Sequence, residues 1–121
     1  MLGCRVERIL PDFGLIQLRA GFSLIDLADL SRPGGAGAGG RILEHFCLRV
    51  DPFDPEAIRA HLTCHGVRGG PVERRYGADG HGLSMDLEDP EVNRIELKGP
   101  PDPDQREQRS EAIPGPLPGR T

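Results

Sequence analysis

The chain repeats itself unequally, and that inequality constrains its fold more than any other feature. VERI at 6–9 is followed by LIDL at 24–27, and VERR at 72–75 is followed by RIEL at 94–97. Each half therefore closes on a strand-like segment carrying one acid. The second half has a strand-like segment, LEHFCLRV, and a helix-like one, DPEAIRAHLTCHGV, in front of it. The first half has no such front piece, because Met1 lies two residues before Gly3, the counterpart of Gly66. A duplication of this kind implies two copies of one supersecondary unit. With one front piece missing, a site built from both copies is expected to be incomplete within a single chain.

Local patterns supply the elements. Residues 5–9, 15–19 and 23–27 read as three strands joined by turns at Pro11-Asp12-Phe13-Gly14 and Ala20-Gly21, a meander. Residues 44–50 alternate, with Phe46, Leu48 and Val50 on one side and His45, Cys47 and Arg49 on the other. The apolar set is expected to pack on a helix and the polar set to line a concave surface. Asp54-Pro55-Glu56 is a helix start, with Asp54 capping and Pro55 first in the helix; Ile58 and Leu62 make its buried stripe and Gly66 ends it. Strands at 72–76 and 82–87 flank the glycine-rich GADGHG, 89–93 is a turn, and 95–98 is the last strand. SRPGGAGAGG at 31–40 reads as a flexible linker, and the Pro- and Gly-rich stretch after Lys98 as a disordered tail. About 90 residues then remain for a core.

Composition closes off several classes. A net charge of −4, scattered arginines and few aromatics offer no nucleic-acid footprint. No run is long enough to span a membrane, and the N-terminus lacks a secretory pattern. Cys4, Cys47 and Cys64 are odd in number and show no CxxC spacing, so a reduced, cytoplasmic protein is expected.

A strand–helix–three-strand module repeated twice, opened in its second copy by LEHFCLRV and closed by DPEVNRIEL, resembles the vicinal oxygen chelate superfamily. That superfamily includes glyoxalase I, bleomycin-resistance proteins, fosfomycin-resistance enzymes and extradiol dioxygenases. The resemblance implies an α+β fold of paired βαβββ modules, forming a curved mixed sheet around a cleft. It divides the chain into a partial first module at 1–30, a linker at 31–41, a complete second module at 42–98 and a tail at 99–121.

The resemblance also implies a ligand set. The opening strand of the second module would supply His45, its closing strand Glu96, and the closing strand of the first module Asp26. The family's fourth ligand, a His on the missing opening strand, has no counterpart. One imidazole and two carboxylates suit a divalent ion (Zn, Ni, Mn or Fe) acting as a Lewis acid on substrate oxygens. Glu96 or Asp26 would then be the base of a lactoylglutathione-lyase-like lyase or isomerase. Gln17, Arg19, Cys47, His81, Ser84 and Asp86 are the candidate substrate contacts. Cys47 could replace a lost ligand as a thiolate, and His81, in the GADGHG loop, could shuttle a proton. His61 and His65, at i and i+4 on the helix, are read as solvated residues.

Three departures bear on this set. Asp26 is one methylene shorter than Glu. Val92 stands where the family has Gly in a turn needing an unusual backbone angle, so that turn is expected to be remodelled. Asp86 replaces a common aromatic and makes the cleft more polar. The alternatives are a metal-free, small-molecule-sequestering protein of the bleomycin-resistance type and, more weakly, an extradiol dioxygenase. Two accounts of the missing front piece stand open: a start upstream of Met1, which is preferred, or a homodimer that completes the cleft.

Overall fold

The computed structural model describes residues 3–31 and 42–104. These fall into two compact units, the first holding 3–31 and Ile42, the second 43–104. Together they form an α+β fold with seven strands and one α-helix among the described residues. The linker at 32–41 and the tail beyond 104 lie outside the described residues.

The first unit is the expected antiparallel meander, β1 (Arg5–Leu10), β2 (Leu15–Ala20) and β3 (Ser23–Ala28), in the order β1-β2-β3. A 3₁₀ turn at Pro11–Phe13 ends on Gly14 in the left-handed region, and its N–H returns to the Pro11 carbonyl. Gly21, at φ 63°, opens the two-residue β2–β3 turn, a position where a left-handed residue matches the twist of the flanking strands. Register places Ile9, Ile16 and Leu27 in one cross-strand row and Val6, Leu18 and Ile25 in the next. Gln17 and Asp26 pair across β2 and β3 on the opposite face.

The second unit is β4 (His45–Arg49), α1 (Pro55–Cys64), β5 (Gly69–Gly77), β6 (Gly80–Glu88) and β7 (Arg94–Pro101). The sheet order is β4-β7-β6-β5, with β4 parallel to β7 and the other pairs antiparallel. Leu48, Leu97, Met85 and Val72 form an apolar row, and Cys47, Glu96 and Asp86 a polar row on the other face. The Asp54 side chain caps α1 by accepting from the Glu56 and Ala57 N–H groups, and Pro55 stands where its missing N–H is harmless.

Four expectations are corrected. Phe46 and Leu48 are not covered by the helix; they remain 45% and 50% exposed. The helix instead sits toward β5, where Leu62 and fully buried Met85 close on Gly69, and a Cβ there would come within 2.6 Å of the Met85 sulfur. The 89–93 turn is not remodelled. Val92 itself takes φ 65°, while Asp89 accepts the N–H groups of Glu91 and Asn93 and the Asn93 side-chain amide. GADGHG is not an open loop: Gly77 pairs with Gly80 around a two-residue tip, so His81 belongs to β6, with its ring edge-on to Tyr76. Finally, β7 continues past Lys98 to Pro101, and Asp102 is tied back through its N–H to the His81 carbonyl and through its carboxylate to Arg74.

Candidate functional site

The polar face of the second unit is where chemistry-bearing side chains gather. It follows from alternation: RIELK on β7 turns Ile95 and Leu97 to the apolar side and Arg94, Glu96 and Lys98 to the other. Ser84 and Asp86 join from β6, and Glu73 and Arg75 from β5. The β5–β6 hairpin bends over this face. Its tip residue Asp79 accepts from Arg49 on β4, at the other edge of the sheet, at 2.6 Å. Lys98 lies beneath the hairpin, donating to the carbonyls of Arg75 and Gly82. Gly82 permits the bend, since a Cβ there would meet the Pro100 carbonyl oxygen at 2.8 Å.

Glu96, Lys98 and Ser84 are consequently buried although they are polar. Burial pushes the Lys98 ammonium below its ordinary range, against the opposing pull of Glu96. Ser84 Oγ is buried with no hydrogen-bond partner among the described residues.

Arg75 is the centre of the face. Its Nη1 donates to Asp86 Oδ1 at 2.9 Å, to Asp86 Oδ2 at 3.0 Å and to Glu96 Oε1 at 3.1 Å. Its Nε and Nη2 hold Glu73 Oε2 at 3.0 and 2.6 Å. Arg94 adds a second clamp on Asp86, with Nη2 2.5 Å from Oδ2, and reaches Glu44 at 3.4 Å. Burial opposes ionisation of Asp86, but the hydrogen bonds from Arg75 and Arg94 outweigh it and hold its carboxyl below the usual range. Desolvation acts to lower Arg75, but its hydrogen bonds to Asp86, Glu73 and Glu96 outweigh it and raise Arg75 further.

The expected ligands distribute as follows. His45 and Glu96 are neighbours, with Nε2 3.8 Å from Oε1, and His45 Nδ1 is 3.6 Å from Glu44. Asp26 is an exposed residue of β3 and belongs to the first unit. Cys47 lies beside Glu96, and its Sγ–H donates to Oε2 at 3.3 Å. Burial pushes the Cys47 thiol up to about 12, helped by the charge and hydrogen bond of Glu96. A thiol so held is protonated in this arrangement, and acting as a metal ligand would require it to give up that proton.

In the first unit, Gln17 and Arg19 are both buried. Arg19 is held by a two-point pair with Glu7, at 2.9 and 2.7 Å, and Gln17 Oε1 is buried with no hydrogen-bond partner among the described residues. The same unit carries an open apolar groove of about 400 Å³ beside Ile9, Ile16 and Leu27.

A metal does not fit the second unit's residues as they stand. Arg75 donates to one oxygen of Glu96 and Cys47 to the other, so a guanidinium and a thiol already share the carboxylate beside His45. Among the described residues, no three His, Cys, Asp or Glu groups form a set able to hold a metal ion. Arg75 is not among the candidates the sequence offers, because its arginines read as scattered among acids. The usable signal was parity, because Arg75 shares the face of Glu73 and opposes Val72.

No protein-family model matches the chain, and no curated protein matches it. Solved structures do. An integron cassette protein from the mobile metagenome of V. cholerae is 27% identical, over 81% of this chain and 77% of that one, with a TM-score of 0.41. A fosfomycin resistance protein, FosX, from Listeria monocytogenes is 14% identical over 87% and 78%, with a TM-score of 0.40. A glyoxalase/bleomycin resistance protein/dioxygenase from Alicyclobacillus acidocaldarius is 21% identical over 87% and 78%, with a TM-score of 0.36.

Proposed function

We propose that this chain is a glyoxalase-like protein of the vicinal oxygen chelate kind that binds a small molecule on the polar face of its second unit without a resident metal. The reading rests on one observation: a polar face under an arching hairpin, where Glu96, Lys98 and Ser84 are buried. Polar groups buried this way are expensive unless satisfied, and they rigidify the surface they line. His45, half-buried at the open end beside Glu96, is the group that an incoming ligand meets. Three free thiols suit a reducing, cytoplasmic setting.

The sequestering reading is preferred to lyase or isomerase chemistry because both Glu96 oxygens already accept hydrogen bonds. A carboxylate so engaged has to give up one of these bonds or use a remaining lone pair to take a substrate proton. The metal-dependent reading, with His45, Glu96 and Asp26 as ligands, has one observation in its favour, the 3.8 Å approach of His45 to Glu96. It requires Arg75 to release Glu96.

Calorimetric titration in chelator tests the proposal, with bleomycin, fosfomycin, catechol and the glutathione–methylglyoxal adduct as probes. Saturable binding of one of them, weakened at least about tenfold in Glu96→Gln, is the expected result. Binding of none of them in chelator, with binding restored by manganese, would replace this reading with the metal-dependent one.

A further inference from the structure

We propose that the Arg75 guanidinium is a built-in counter-cation that takes the place of a divalent metal on this face. The inference rests on the polar face being the binding surface. It concerns a different property, namely what supplies positive charge there.

One nitrogen, Nη1, has three carboxylate oxygens around it at 2.9, 3.0 and 3.1 Å, contributed by two residues on neighbouring strands. Asp86 and Glu96 are a cross-strand pair, so their carboxylates face one another by register. Two like charges directly opposed across a sheet repel, and more strongly where water is excluded. A cation between them is therefore a structural requirement of this pair. A metal ion would satisfy it through carboxylate oxygens; here a guanidinium does so, through charge-assisted hydrogen bonds in a fixed planar geometry.

All three nitrogens of the Arg75 side chain are also engaged. Nε and Nη2 hold Glu73, and the Arg75 backbone carbonyl accepts from Lys98. A guanidinium engaged by three carboxylates and anchored at its own backbone is a fixed part of the face and has no donor pair left for a ligand anion. The internal repeat makes the point specific to this unit, because the residue aligned with Arg75 in the first half is Ile9.

The face of the unaltered chain should therefore refuse divalent ions, and removing the Arg75 charge should admit one between Asp86 and Glu96, within reach of His45. The test is calorimetric titration of manganese or zinc chloride alone into the full chain, into Arg75→Met, into Arg75→Lys and into Arg75→Met/Glu96→Gln. Circular dichroism melts report folding. The unaltered chain and Arg75→Lys should show no saturable uptake. Arg75→Met should take about one ion per chain, with affinity falling at least about tenfold in the double variant. Should Arg75→Met fail to fold, Arg75→Gln, which keeps N–H donors but no charge, carries the same expectation. Stoichiometric metal in the unaltered chain, abolished by Glu96→Gln, overturns the inference, as does a folded neutral variant that takes none. Neither result touches probe binding in chelator, and loss of probe binding leaves this inference standing.

Discussion

The two sheets have the same alternation but different coverage. In the second unit the apolar row runs from Leu48 to Val72 through Met85, and Met85 is fully buried beneath Leu62 of the helix. In the first unit the matching apolar face, Ile9 with Ile16 and Leu27, stays exposed at 62%, 40% and 52%. The polar faces differ too. The first locks Arg19 in a two-point pair with Glu7, whereas the second builds a network in which two arginines hold four carboxylates. Alternation makes a two-faced sheet, but only a covering element turns one face into core. Where the helix is present the apolar face yields stability, and the other face is free to hold costly charge.

The largest expected effect tests that coverage. Met85→Ala should lower stability by about 2–5 kcal/mol, because it removes a fully buried side chain and leaves a cavity against Gly69. Ile16→Ala in the uncovered sheet should lose less than half as much; equal losses in urea unfolding would abolish the distinction.

A smaller effect probes the charge network. Asp86→Asn should destabilise the second unit by about 1–3 kcal/mol at neutral pH, since hydrogen bonds from two guanidinium groups are weakened. The pH dependence has a definite sign. The folded-state pKa of Asp86 is depressed, so its contribution is fully present above its unfolded value, about 3.9, and is lost as pH falls below it. Melting temperatures followed downward from about pH 5 should therefore drop more steeply for the unaltered chain than for Asp86→Asn. Parallel curves would show that Asp86 gains nothing from its clamps.

The smallest effect compares turns. The first unit places Gly14 and Gly21 at its left-handed positions, while the second places Val92 there at φ 65°. A β-branched residue in that region is strained by about 1–2 kcal/mol, and Val92 is mostly exposed, so little packing is at stake. Val92→Gly should raise stability by about 1 kcal/mol, net of the extra freedom glycine brings to the unfolded chain. An unchanged or lowered melting temperature would mean that the Asp89 hydrogen bonds already absorb the strain.

Much of this was legible in the residues. The meander of the first unit, the Asp54 cap and the facing of His45, Cys47 and Glu96 all follow from local rules: alternation, turn glycines and a capping carboxylate before proline. The errors were non-local. Phe46 and Leu48 were assigned to the helix because they are apolar and in phase, yet the strand order puts β4 at the edge opposite β5, the strand the helix leans on. His81 was assigned to a loop because glycines surround it, yet pairing with Tyr76 extends the hairpin almost to its tip.

The sequence by itself determined the period of each strand, the start of the helix, the duplication and the face on which each charged residue lies. These depend on neighbours a few positions away. Only the tertiary structure decided that Arg75 meets Asp86 and Glu96. The three sit on three adjacent strands, and their meeting depends on register and on the bend of the β5–β6 hairpin. Parity assigns a side chain to a face; which charge it neutralises there is set by the strands beside it.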